Sequence, residues 1–262
     1  MSMNAGLALT QLAPPPGSRM VVVGGCGGIG RALVTAALAA GVSVMVLDLP
    51  ASIARHAPPK DVWAVTVDAA DENAVASAFA QVDAAWGGLD CLVNLCGFNA
   101  EVKPAEAVDV AAWDSGIAGN LRAAFLVSRA ALPLLKRAGG GSIVHVSSGI
   151  GIYGMAGYGP YAAAKGGLNA LAKTLAKENA PTIRVNVVAP SLVDTAFTRG
   201  GTGRSNEDGP SAVDAANYVR NIPMARVAEP ADIVGPILFL AGPASRYMTG
   251  QILHVNGGAF MP

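Results

Sequence analysis

Charge is scarce in this chain: 14% of its 262 residues are Asp, Glu, Lys or Arg, and 18 acidic residues balance 18 basic ones. No global field therefore draws it toward nucleic acid or an anionic membrane surface. Aromatic residues make up only 5%, with no basic stripe interleaved among them, so nucleic acid is not an expected partner. Three cysteines, an odd number, argue against a secreted disulfide framework. His56, His145 and His254 are scattered without paired ligand spacing, so no metal is expected. The most apolar run, from Ala32 to Leu47, is punctuated at Gly41 and Ser43 and falls short of the roughly 20 residues a membrane helix needs. The first positive charge is Arg19, behind Pro14-Pro15-Pro16-Gly17, so neither a signal peptide nor membrane association is expected and the expected location is cytoplasmic.

What is present is apolar and glycine-rich: 52% hydrophobic residues, 32 Gly and a mean hydropathy of +0.42. No repeat or linker divides the chain. β-branched runs at 20–23, 43–47, 62–67, 91–93, 142–146, 184–188 and 252–255 read as strands, and several are apolar at consecutive positions, as when helices cover both sheet faces. Between them 29–40, 71–86, 110–136, 158–177 and 230–240 read as helices. The expected fold is α/β, a single-domain, doubly wound parallel sheet of about seven strands (a Rossmann fold) over 19–262. Residues 1–18 are expected to form a flexible extension. Residues 195–221, rich in Gly, Ser, Asp, Asn and Arg, are expected to form a mobile substrate-binding insertion. Its Arg199, Arg204 and Arg220 either recruit an anion or are simply solvated.

The first strand runs into Gly24-Gly25-Cys26-Gly27-Gly28-Ile29-Gly30 and then into a helix. Glycines let backbone approach a pyrophosphate, and the N–H groups at the helix start supply partial positive charge. Asp48, after the second strand, lies where a carboxylate accepts the two ribose hydroxyls of an adenosine and repels a 2'-phosphate. With Leu49 following and no basic residue in the turn before Gly28, the expected cofactor is NAD(H) rather than NADP(H). Cys26, Cys91 and Cys96 are read as small buried thiols, with sensitivity of Cys26 to alkylation, protected by bound cofactor, as a secondary expectation from its place in the turn.

Tyr161 and Lys165 stand four residues apart, on one face of a predicted helix. An ammonium beside a phenol favours the phenolate, the arrangement of a general acid or base. Ser147 and Ser148 end a strand at the carboxyl edge of the sheet, where such folds gather ligand-binding groups. No G-x-S-x-G is present to suggest a Ser-His-Asp hydrolase.

Together these motifs resemble the classical short-chain dehydrogenase/reductase family from about Arg19 to the C-terminus. Gly24-x-x-x-Gly28-x-Gly30 is similar to its T-G-x-x-x-G-x-G turn, with Val23 in place of Thr. The resemblance implies that Asp68 and Ala69 meet the adenine and that Asn94, Cys96 and Gly97, close to N-N-A-G, line the cofactor site. It implies that Pro190, Val193 and Thr195, close to P-G-x-V-x-T, hold the nicotinamide carboxamide. The implied catalytic set is Tyr161 transferring the proton, Lys165 binding the nicotinamide ribose and lowering the tyrosine pKa, Ser148 polarising the substrate oxygen and Asn120 supporting a water relay.

The expected activity is an NAD-dependent alcohol dehydrogenase or carbonyl reductase acting on a small secondary alcohol or ketone. Phe98, Ser148, Tyr153, Met155, Tyr158, Leu192 and Phe197 are its candidate pocket. A 3-oxoacyl-(acyl carrier protein) reductase is the nearest enzyme alternative, and a non-catalytic dinucleotide sensor the alternative of another class. By resemblance a homotetramer is expected, with a dimer as fallback, and the tail at 259–262 is placed where it can reach a neighbouring site.

Overall fold

Adjacent residues of the first strand are buried on opposite sides, which fixes the layer order. In β1 (Arg19–Val23), Val21 and Val23 enter one core while Met20 and Val22 enter the other. A strand buried on both faces must be sandwiched between helices. The structure is a computed structural model describing residues 11–99, 102–205, 207–211 and 213–261. Its elements run β1, α1 (Gly28–Ala39), β2 (Ser43–Asp48), α2 (Pro50–Arg55), β3 (Trp63–Thr66), α3 (Glu72–Trp86) and β4 (Cys91–Asn94). They continue α4 (Val110–Ile117), α5 (Ala123–Arg137), β5 (Gly141–Val146), α6 (Ile150–Tyr153), α7 (Gly159–Asn179), β6 (Ile183–Pro190), α8 (Ala215–Val219), α9 (Pro230–Ala241) and β7 (Ile252–Val255). All strand pairs are parallel in the order β3-β2-β1-β4-β5-β6-β7. The order reverses between β1 and β4, so a crevice opens at their carboxyl ends, the place where such sheets bind ligands. No helix among the described residues is long and apolar enough to cross a membrane.

Three segments differ from expectation. The run 110–136 is not one helix: a π-helical turn, Ala118–Arg122, separates α4 from α5. A π turn pairs N–H groups with carbonyls five residues back, leaving room for a side chain at the carbonyl four back. Asn120 Nδ2 occupies it, donating to the Gly116 carbonyl at 2.9 Å. Second, of the extension expected to be flexible, residues 1–10 lie outside the described residues, but the stretch before β1 is docked. The Gly17 N–H donates to the Gly41 carbonyl at 2.7 Å and the Ser18 N–H to the Pro15 carbonyl at 3.1 Å, because the prolines stiffen the chain ahead of a turn at Gly17. Third, part of the insertion expected to be mobile is bound to α2, as described below.

A buried polar chain crosses the sheet: Asn94 Nδ2 lies 3.2 Å from His145 Nδ1, and His145 Nε2 lies 3.3 Å from Ser128 Oγ. His145 is fully buried, and desolvation, with the Lys165 charge adding to it, pulls its pKa from 6.5 down to about 3. The folded protein holds this ring neutral while the unfolded chain takes up a proton below pH 6.5, so its contribution to stability is present above that pH and is lost toward pH 3. Replacing His145 by Asn should flatten acid destabilisation by one proton's worth, about 1.4 kcal/mol per pH unit. Urea midpoints measured across this range test it, and equal slopes in the two proteins would refute it.

Candidate active site

The glycine turn is shaped by close approach. A Cβ on Gly30 would strike the Gly24 carbonyl oxygen, and one on Gly28 would come within 2.6 Å of Thr195 Cγ2. Bare backbone there, at the start of α1, leaves N–H groups facing the cleft. The cleft is open to solvent. It is lined by Gly24, Gly27, Gly28, Ile29 and Gly30 from the turn, and by Asp48, Asp68 and Ala69 from the ends of β2 and β3. Cys96 and Gly97 after β4 form its floor, and Thr195 and Phe197 overhang it. Phe197, expected in the substrate pocket, therefore lines this cleft, with its ring also 5.8 Å from that of Tyr161.

Asp48 is held by both oxygens, one accepting from the Cys26 N–H and the other from the Leu49 N–H, each at 2.8 Å. It stiffens the turn while lining the cleft.

Four expected cofactor contacts are buried away from the cleft lining. Cys26 is 0% exposed, and burial, with Asp48 beside it, pushes its thiol up to about 12. The expected sensitivity to alkylation is thus corrected, because a buried neutral thiol is a poor nucleophile. Asn94 is also fully buried: its Oδ1 accepts from the Cys96 N–H at 3.2 Å and the Cys96 thiol at 2.7 Å. It sets the loop that follows β4. Pro190 and Val193 are likewise buried, with Val193 bridging to Ala228.

Next to Gly97 and Val146 of the cleft lining, the four chemistry-bearing residues come together. α7 carries Tyr161 and Lys165 one turn apart, both buried. Lys165 Nζ donates to the Val146 carbonyl at 3.0 Å and sits 5.6 Å from the Tyr161 ring centroid. Gly97 fixes the distance to the π turn: a Cβ there would lie 2.5 Å from Asn120 Oδ1 and 3.1 Å from Lys165 Nζ. Asn120 Nδ2 is fully used, donating to the Phe98 and Gly116 carbonyls at 2.9 Å. Its Oδ1 is buried without a partner among the described residues. Ser148 follows β5, its Oγ accepting from the Ile150 N–H at 3.2 Å and lying near enough to the Tyr161 phenol to favour its ionised form, whereas Ser147 Oγ turns away to donate to the Lys165 carbonyl at 3.2 Å.

The electrostatics depart from expectation in one respect. Burial pushes the Tyr161 phenol above its ordinary value against the downward pull of Ser148, and the Lys165 charge is not among the groups that move it. Lys165 itself is pulled down to about 8 by burial. In water-poor surroundings desolvation outweighs an ammonium that is already committed to a carbonyl.

The candidate substrate residues are spread around the mouth. Tyr153 and Met155 are exposed and Tyr158 half-buried. Phe98 supplies its carbonyl to Asn120, and its ring fills the space beside Gly119. Leu192 donates its N–H to the Tyr218 hydroxyl at 3.1 Å. Tyr218, on α8, and Phe260, whose ring lies 5.1 Å from that of Tyr153, are wall residues that sequence reasoning missed. The aromatic residue within an otherwise polar insertion was the available signal for the first. The tail, placed by expectation near a neighbouring site, folds back on its own chain, Asn256 Nδ2 donating to the Phe260 carbonyl at 2.6 Å. Residue 262 lies outside the described residues.

The arrangement has relatives. A family model described as enoyl-(acyl carrier protein) reductase matches residues 24–259. An uncharacterized short-chain type dehydrogenase/reductase of Sinorhizobium fredii is 36% identical over 245 residues, 88% of this chain and 92% of the relative. The cis-4-hydroxycyclohexanecarboxylate dehydrogenase of Sinomonas cyclohexanicum is 35% identical over 245 residues, 91% of this chain and 94% of the relative. Among solved structures, a short-chain type dehydrogenase/reductase from Mycobacterium ulcerans superposes with a TM-score of 0.83 at 27% identity, covering 94% of this chain and 90% of that one.

Proposed function

The chain belongs to the short-chain dehydrogenase/reductase family, an oxidoreductase family, and from that premise we propose that it uses NAD(H) to interconvert a small secondary alcohol and its ketone. The observation that carries the reading is the meeting of Ser148, Tyr161, Lys165 and Asn120 behind Gly97, Val146 and Phe197, which line the same cleft as the glycine turn. A dinucleotide fits the donor set: backbone N–H groups for its diphosphate, Asp48 for a ribose, and the buried Asn120 Oδ1 as an unused acceptor beside Lys165. When bound, the nicotinamide supplies or accepts the hydride.

The chain's own residues manage the oxygen and its proton. Ser148 donates a hydrogen bond to the substrate oxygen and orients it. In the reducing direction Tyr161 passes its phenolic proton to that oxygen; in the oxidising direction it takes the proton back. Lys165 holds the nicotinamide ribose, and Asn120 Oδ1 anchors a water through which Lys165 exchanges protons with solvent. Val110, Trp113 and Phe125 are exposed by 75%, 42% and 42% on α4 and α5, an apolar surface that suits a homotetramer, or failing that a dimer. Three free cysteines suit a cytoplasmic location.

Absorbance of the reduced nicotinamide, followed across a panel of secondary alcohols, ketones and 3-oxoacyl thioesters, tests the reading. Turnover with NADH and small ketones is the expected result. Activity confined to 3-oxoacyl thioesters with NADPH would move the assignment to a 3-oxoacyl-(acyl carrier protein) reductase. Binding of NADH without turnover on any substrate would favour a sensor.

A further inference from the structure

The segment after β6 is fastened to α2 across the cleft. Ser52 Oγ donates to the Thr202 carbonyl at 3.2 Å. Gly203, at φ +71, lies so close that a Cβ there would sit 2.7 Å from the Ser52 nitrogen, so this approach requires glycine. Further along, Arg55 reaches Asp208 at 2.9 Å and Glu207 at 3.5 Å, while His56 Nε2 meets Glu207 at 3.0 Å. Such ion pairs are individually weak where exposed, but with the backbone contact they fix the course of the chain between them.

That course carries Arg204 over the cleft. Its guanidinium lies 4.5 Å from the Phe98 ring centroid and 4.0 Å from the Asp68 carboxylate. Among the described residues that line the cleft wall it bears the only positive charge, against Asp48 and Asp68, while Lys165 lies behind that wall with its ammonium on the Val146 carbonyl. A dinucleotide would add the charge of its diphosphate to a lining already net negative. The glycine turn answers with partial charges only. A guanidinium presents a planar fork that matches two phosphate oxygens at once, and the separation from Asp68 is too long for a direct hydrogen bond, so the fork is available for exchange.

We propose that Arg204 is a cofactor-binding residue that closes on the diphosphate of the dinucleotide, delivered there by the docking of Thr202, Gly203 and Glu207 on α2. The inference rests on the dinucleotide reading above, and its test separates the two. Calorimetric titrations of the full chain with NADH, NADPH, ADP-ribose and adenosine would be compared for wild type, Arg204→Ala and Arg204→Lys. Arg204→Ala should weaken NADH and ADP-ribose alike by roughly 10-fold or more and leave adenosine within about twofold. Arg204→Lys, which keeps the charge and loses the fork, should fall between, with a salt dependence steeper than that of Arg204→Ala.

Unchanged NADH and ADP-ribose affinities in Arg204→Ala would overturn the proposal and leave the cofactor reading standing. A loss confined to NADPH would overturn it in favour of a 2'-phosphate contact, and an equal loss of adenosine would reduce Arg204 to a prop for the segment. A wild-type protein that binds neither NADH nor ADP-ribose takes both readings down.

Discussion

Tyr161→Phe is expected to lose about 10²-fold or more of turnover while binding NADH as wild type does, because it removes the one group placed to move a proton and leaves the cleft lining intact. The ring stays the same size, so the contact with Phe197 at 5.8 Å survives. A pH arm sharpens the test. With burial holding the phenol above its ordinary value, the protonated form needed for ketone reduction dominates at neutral pH. The deprotonated form needed for alcohol oxidation gains only as pH rises. Oxidation by the wild type should therefore climb through the alkaline range while reduction does not, and the residual activity of the variant should lose that dependence. Near-normal turnover in the phenylalanine variant would end the proposed mechanism.

The second large effect concerns the coenzyme. NADH is expected to have a Michaelis constant at least about 10²-fold below that of NADPH, because a 2'-phosphate removes a charge-assisted hydrogen bond to Asp48 worth roughly 1.5–3 kcal/mol and adds repulsion between like charges. Asp48→Ala should collapse most of this difference, chiefly by weakening NADH. It should also cost stability, since the Cys26 and Leu49 N–H groups lose their shared acceptor. Steady-state kinetics with both coenzymes decide it, and preference for NADPH in the wild type would sink the assignment.

The sheet was readable because consecutive valines, as in β1, have one economical interpretation: burial on both faces. The glycine turn and the Tyr161–Lys165 pair were readable because each packs its geometry into a short span. α2 went unseen: six residues that begin with a proline carry no periodic pattern. The interruption at Ala118–Arg122 went unseen because the apolar spacing on either side continues as one helix, and the wide turn goes with the Gly116 and Phe98 carbonyls to which Asn120 donates. Neither the resemblance, for Asn94, nor a place in the glycine turn, for Cys26, shows that both are buried, with Asn94 Oδ1 holding the loop after β4 and the Cys26 N–H holding Asp48. The meeting of Ser52 with Thr202, 150 positions apart, has no local trace in sequence.

The wide turn in the middle of the α4–α5 rod has an evolutionary corollary. Excising one residue between Ala118 and Arg122 would let regular pitch run unbroken from Val110 to Arg137, a shorter and better-bonded rod. Such a deletion would also rotate Asn120 off Lys165. Drift toward greater thermal robustness and retention of chemistry therefore pull this peptide in opposite directions, and a lineage released from selection for turnover should shed the extra residue early.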